Sequence, residues 1–414
     1  MGPGLRRGAE WRAAASHVHV IKDMPFPSWL PWLLGAVTVI GPASIDMYLP
    51  AFTAIETSLG APPGGAQFTL AAYFAGLAIG QMTQGTLSDR FGRRNPIIAG
   101  TLLYAAASIG AALSPSIGWL ASFRALSAVG GAAGTVIPRA IVRDLTSGQA
   151  AAVMLSQLML VLGVAPILAP SLGSAVLAVA SWRWIFWILA GYALLCSLLV
   201  FALVPETLPR ERRIPLRLGS QLARYGAILR EPVFLTHAAM GCCASFAFFS
   251  YLGGASPVFV RGFGLSPFQF AMIFGLCSIG LIGSTQVNAR LLPRYGISRI
   301  LHVVARVHFC ATLTLAIVAF AGIHVLPLVF LPLFVAVGCM GYINPNMVAG
   351  ALTNQAHNAG SASALLGTGQ FLLGAIGGLL VGAFTDGTPR GLAALMLLGS
   401  TGLVAVDYLR SRTS

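Results

Sequence analysis

Gly85-Thr86-Leu87-Ser88-Asp89-Arg90-Phe91-Gly92-Arg93-Arg94 is the stretch whose reading decides the fold. It sits between two apolar runs, 67–87 and 96–114, each about as long as a membrane span requires. Three arginines in so short a turn mark a cytoplasmic loop. The turn holds more than an anchor needs. Gly85 permits close approach of helices. Asp89 can sit against a helix N-terminus, where an anion is stabilised by about 0.3–1 kcal/mol. Arg93 and Arg94 can pair with an acid on a neighbouring loop, and Asp144 is the obvious partner. Such pairs would latch one face in one state and break in another.

Working outward, apolar runs recur along the whole chain. Of 414 residues 57% are hydrophobic and 9% are charged, against about 25% charged in a soluble domain. Mean hydropathy is +0.82. A secreted enzyme, a cytosolic enzyme and a disordered regulator are excluded. The predicted spans are 30–53, 67–87, 96–114, 117–141, 150–174, 184–204, 233–256, 267–289, 298–320, 326–351, 361–384 and 390–409. Residues 1–28 read as a basic cytoplasmic tail, not a cleavable signal, because the first apolar run is long enough to span.

Lys+Arg 25 against Asp+Glu 11 gives a net charge of +14. In a soluble protein this would suggest nucleic acid. Here nineteen basic residues fall in predicted inner segments and three (Arg183, Arg261, Arg390) in outer loops. The excess records topology, with both termini cytoplasmic, and no nucleic-acid partner is expected. The six cysteines lie in apolar runs without a C-x-x-C, so neither a disulfide framework nor a zinc site is indicated.

The predicted domains are the tail 1–28, a first bundle 29–204, a cytoplasmic central loop 205–232, a second bundle 233–410 and a tail 411–414. Each half places a basic cluster after its second span, the second being Asn288-Ala289-Arg290-Leu291-Leu292-Pro293-Arg294-Tyr295-Gly296. The fold class is an all-α membrane protein with twelve transmembrane helices in two six-helix bundles. Repeated halves of this kind are a transporter architecture.

The opening stretch resembles the G-x-L-S-D-R-x-G-R-R signature of the major facilitator superfamily. Four further stretches narrow the likeness: Gly41-Pro42-Ala43-Ser44-Ile45-Asp46-Met47-Tyr48-Leu49-Pro50; Arg124–Gly131 with Pro138–Leu145; Gly163-Val164-Ala165-Pro166-Ile167-Leu168-Ala169-Pro170-Ser171-Leu172-Gly173; and Pro345-Asn346 with Gly360–Gly367. Together they resemble the bicyclomycin/chloramphenicol-resistance branch of drug:proton antiporters. The resemblance implies proton-coupled efflux of small amphipathic compounds by a monomer in the bacterial inner membrane. The proton gradient would supply the energy, with no cofactor. It assigns Gly85, Asp89, Arg90, Gly92, Arg93 and Arg94, with Arg139, Arg143 and Asp144, to a cytoplasmic gate. Gly163, Pro166, Pro170 and Gly173 form its antiporter motif, although Ala169 and Ser174 stand where glycine is common.

Asp46, Arg124, Arg139 and Arg306 are the charges expected within spans, Asp46 being the acid. A charge in the membrane costs about 2.5–3.5 kcal/mol on insertion scales and is usually functional. Asp46 is therefore the expected proton carrier, its alternative being a structural ion pair or a helix-packing hydrogen bond. Related exporters can carry a second acid in the first span, and residues 30–53 hold none. Arg124 matches the arginine that the family associates with proton coupling. Arg139 and Arg143 are four apart and share a helix face; Arg139 reads as part of the gate, and Arg306 as snorkelling to the inner surface. Aromatics and amides on the expected pocket helices are Tyr48, Tyr73, Gln157, Phe248, Phe249, Tyr251, Phe274, Tyr342, Asn344, Asn346 and Gln370, a set that suits an amphipathic organic molecule. A metabolite exporter of the same fold is the rival reading. A membrane enzyme would need a metal cluster or a nucleophile–base constellation, and the sequence offers neither.

Overall fold

Lipid satisfies no backbone N–H or C=O, so an apolar run of this length closes its hydrogen bonds within itself as a helix. The computed structural model describes residues 27–146, 148–213, 218–355, 358–384 and 386–413, and the basic tail expected at 1–28 lies almost wholly outside them. Helix α1 spans Leu30–Leu59 and is broken near its middle; α2 is Gly65–Phe91, α3 Arg94–Ala112, α4 Ile117–Leu145, α5 Gly148–Val179 and α6 Arg183–Leu203. A short helix, Leu218–Leu229, lies in the central connection. Helix α7 is Pro232–Ser256, continued by a π-helical turn Pro257–Gly262. Helices α8 and α9 are the arms 267–295 and 297–320 of one Pro267–Phe320 run, parted at Gly296 (φ 72°, ψ 164°). Helices α10, α11 and α12 are Leu326–Leu352, Ala359–Ala383 and Arg390–Thr413.

Ten of these runs have the length and hydropathy of a span, and Pro267–Phe320 is two spans in one. The twelfth, α2, is too polar for that test because it turns polar groups onto its neighbours. Gln84 donates to the Val129 carbonyl at 3.0 Å and Gln81 to Thr135 Oγ1 at 3.2 Å. Large apolar side chains on the outside (Ile79, Leu102, Leu160, Leu198, Ile317, Leu398) form the lipid face. Helix starts are capped where they leave the apolar layer. Glu231 accepts from Val233 N at 3.1 Å and Phe234 N at 2.6 Å, and Ser266 and Gln269 form a capping box at the head of α8. The first six helices pack as one bundle and the last six as another. Their main mutual contacts are α2 with α11 and α5 with α8.

Candidate functional site

Gly92 ends α2 at φ 91°, a conformation that glycine adopts without strain, and this turns the chain into α3. Arg93 is thereby folded back between two helix ends. Its guanidinium donates to Asp89 Oδ1 at 2.5 Å, to Ser88 Oγ at 2.9 Å and, through Nε, to Asp144 Oδ2 at 2.8 Å. The anion at the α3 N-terminus is Glu206, not Asp89. Glu206 accepts from the Arg93 and Arg94 backbone N–H groups at 2.7 and 3.3 Å. Asp89 lies in the last turn of α2, the wrong end of its helix for that role, and is drawn to Arg93. A Cβ on Gly92 would strike the Glu206 carboxylate. Arg94 does not join this cluster; it lies 5.0 Å over the Phe201 ring and donates to that residue's carbonyl at 2.6 Å. Arg90 lies 5.2 Å over Phe91. Every side-chain partner of the Arg93 guanidinium belongs to the first bundle, so the cluster ties that bundle's own helix ends together.

On the same end of the molecule a cavity of about 850 Å³ opens between the bundles. Its wall includes Gln81, Gly85 and Asp89 of α2, Arg139 and Arg143 of α4, Arg224 and Tyr225 of the connecting helix, and Ser361 and Ser363 at the start of α11.

The opposite end is shut. Phe74 of α2, Phe249 of α7 and Phe371 of α11 form a ring cluster across the bundles, with centroids 4.3 Å (74–249) and 5.7 Å (249–371) apart. Beyond it, Glu56 of α1 accepts from Arg261 of the second bundle at 2.5 Å and from Gly64 N and Ala66 N at 2.9 and 3.2 Å. Glu56 is 5% exposed, and it corrects the expectation of one acid in the first span. The helix runs on to Leu59, past the predicted end at 53. Asp407 is a further acid inside a span helix. It is buried in α12 between Arg410 (2.7 Å) and His302 (2.7 Å), whose ring also contacts Arg306.

Between the two ends lies the break in α1. The α-helix stops at Asp46, and a 3₁₀ turn at Leu49–Ala51 precedes the outer arm. Pro50 has no N–H to give the Asp46 carbonyl, so the ladder is interrupted beside the buried carboxylate. Asp46 has no salt bridge among the described residues; its electrostatic neighbours are Tyr73 of α2 and Tyr251 of α7, one from each bundle. Helix α5 packs on the break. A Cβ on Gly173 would meet the Met47 carbonyl. Pro170 leaves the Pro166 carbonyl without its helical donor; the Ser278 hydroxyl of α8, 3.0 Å from the Phe274 carbonyl, also lies 3.4 Å from that oxygen. The Gly163–Gly173 stretch thus supplies both a close approach to α1 and a polar contact between bundles. Gly163 of the same stretch packs loosely, a Cβ there lying 4.0 Å from Ile282.

Arg124 is fully buried beside this break. It donates to the Ser44 carbonyl at 2.8 Å and to Ser44 Oγ at 3.0 Å. Its guanidinium carbon lies 4.4, 4.2 and 5.8 Å from the ring centroids of Tyr48, Tyr73 and Phe186. No carboxylate pairs with it among the described residues. The cage is completed by Tyr48, whose hydroxyl is hydrogen-bonded with Thr69, and by Tyr73, which donates to the Gly41 carbonyl at 3.3 Å.

The expected pocket residues scatter. Tyr48 and Tyr73 cage Arg124, while Phe249 belongs to the closed ring cluster. Phe248 packs on Tyr251, which stacks on Phe274 at 5.8 Å. Asn346 donates to Asn288 at 2.6 Å, Gln370 contacts the Met347 sulfur, Asn344 is exposed and Tyr342 and Gln157 are half-buried. None of them lines the large cavity, which lies nearer the basic end than the ring cluster. Sequence reasoning missed Glu56, Glu206, Phe74 and Phe371. The two acids read as loop residues because their partners are remote in sequence.

Two six-helix bundles, a cleft open at one end and a broken helix with a buried acid between them define a membrane transporter. The comparisons agree. The Major Facilitator Superfamily profile matches residues 34–378, and the chain belongs to that family. It is 34% identical over 375 residues to the uncharacterized MFS-type transporter YdgK of Bacillus subtilis, covering 89% of this chain and 92% of that one. It is 30% identical to a bicyclomycin resistance protein homolog of Haemophilus influenzae, covering 91% and 93%, in line with the branch read from the motifs. Among solved structures, a bacterial homolog of the human lysosomal transporter Spinster shares the fold, with a TM-score of 0.71 at 17% identity over 95% of this chain and 98% of that one. The chain is a multi-pass membrane transporter and not an enzyme.

Proposed function

We propose that the protein exports small amphipathic compounds across the bacterial inner membrane in exchange for protons, working as a monomer by alternating access. The basic end is cytoplasmic on this reading, and the cavity is in its loading position. The bundles 29–204 and 233–410 rock about the α2–α11 and α5–α8 contacts, and the cavity reopens outward. The observation that carries the proposal is Asp46. It is a buried carboxylate without a salt bridge, at a helix break that touches both bundles. Such a group can take a proton from the outer side in one state and lose it to the inner side in the other. Glu56 and Arg261 act as the outer latch, which a proton on Glu56 would weaken. Arg93, Asp89 and Asp144 hold the inner helix ends of the first bundle. Names of relatives that speak of antibiotic resistance support an exogenous cargo. A metabolite exporter of the same fold is the alternative, separated by growth on an antibiotic panel against a metabolite panel.

Everted vesicles carrying the protein are expected to release protons when cargo is added, and the Asp46→Asn variant to lose that release. Full proton-coupled transport in Asp46→Asn would sink the mechanism.

A further inference from the structure

The efflux reading leaves the charge of the cavity unused. The wall holds four arginines, Arg93, Arg139, Arg143 and Arg224, against one carboxylate, Asp89. Asp89 is committed to Arg93, which Asp144 also holds. Arg139, Arg143 and Arg224 have no hydrogen bond or salt bridge among the described residues. They face the space from two sides. Arg139 and Arg143 lie one turn apart on α4, and Arg224 stands on the connecting helix. A topology anchor works at headgroup level. Arg139 lies deeper, six residues back from Leu145 at the end of α4 (145 − 139), or about 9 Å of helix rise. The remaining wall mixes Gln81, Thr146 and Asn358 with Met82, Val136 and Leu155, so an apolar body has somewhere to lie.

Guanidinium groups with no paired acid repel a cation and hold a neutral acceptor more weakly than an anion. They match a carboxylate, phosphate or sulfonate, which arginine can bind with two parallel hydrogen bonds. We propose that the cavity binds an amphipathic organic anion, with Arg139 and Arg143 clamping its acidic group and Arg224 at the mouth. Arg139 passes from the gate to the ligand. The proposal rests on the efflux reading only for the direction of movement.

The test uses the purified full chain and everted vesicles, with 1-pyrenebutyrate as probe and 1-pyrenebutyramide as its uncharged twin. The carboxylate is expected to bind about tenfold more tightly than the amide, the size of a charge-assisted hydrogen bond. Arg139→Gln is expected to shrink that difference severalfold by weakening the carboxylate more than the amide, and Arg139→Lys to restore part of it. Equal binding of the twins, or equal loss of both in Arg139→Gln, overturns the proposal. So does binding of short-chain phosphatidylglycerol alone, since the arginines would then serve a lipid headgroup. Proton-dependent transport of the amide without the carboxylate sinks the anion site and leaves efflux standing. Tight carboxylate binding without proton-dependent transport does the reverse.

Discussion

Helix α1 carries two buried acids ten residues apart, and they are treated in opposite ways. Glu56, on the outer arm, has an arginine from the other bundle and two backbone N–H groups. Asp46, at the break, has no salt bridge among the described residues and two tyrosines for neighbours. A carboxylate with a partner across the cleft reports and fixes a conformation. A carboxylate without one is free to change its protonation. On the proposed mechanism one span separates holding from loading, and the break lies between the two.

The largest expected effect comes from setting the two positions against each other. Asp46→Asn abolishes substrate-driven proton release, whereas Glu56→Gln keeps it and changes the resting shape. If both variants lose coupling alike, the division of labour is wrong. Glu56→Gln removes a pair that is buried on one side and partly exposed on the other, so a cost of about 2 kcal/mol lies between the surface and buried cases. That shifts the open–closed ratio about 30-fold. Spin labels at Thr57→Cys and Phe268→Cys are expected to show a longer distance population in Glu56→Gln; an unchanged distribution removes the latch.

Smaller effects sharpen what holds the break. Gly173→Ala sets a methyl group against the Met47 carbonyl and is expected to cost about 1–3 kcal/mol. A lower thermal midpoint together with slower transport would be measured, and an unchanged midpoint would show that α5 does not press on α1. Ser278→Ala removes a hydroxyl shared between the Phe274 and Pro166 carbonyls and is expected to cost about 0.6 kcal/mol, seen as a small change in transport rate with proton coupling kept.

Much of the architecture was legible in the sequence because lipid makes hydropathy nearly sufficient. The spans, the repeated halves and the Arg93–Asp144 pairing all follow from local pattern and charge. Glu56 was not legible, since a charge near Pro62 and Pro63 reads as the end of a span, and its partner lies 205 residues away. Glu206 was hidden for the same reason, as its N–H donors are more than a hundred residues upstream. The pocket was misplaced for a different reason. Hydropathy identifies helices but not which end of the cleft is open, and in this state Phe249 and its neighbours are packed together while α4 arginines line the space.

The tyrosine cage around Arg124 has an effect beyond its contacts. Aromatic faces are quadrupoles, which stabilise a cation at short range but leave its net charge in place. A carboxylate partner would have cancelled that charge for every distant observer. While Asp46 is protonated, Arg124 therefore keeps an uncancelled charge in a low-dielectric layer, where fields reach far. Cargo crossing the middle of the molecule then passes a positive potential that falls when Asp46 ionises, so the route itself sorts by sign of charge in step with the proton.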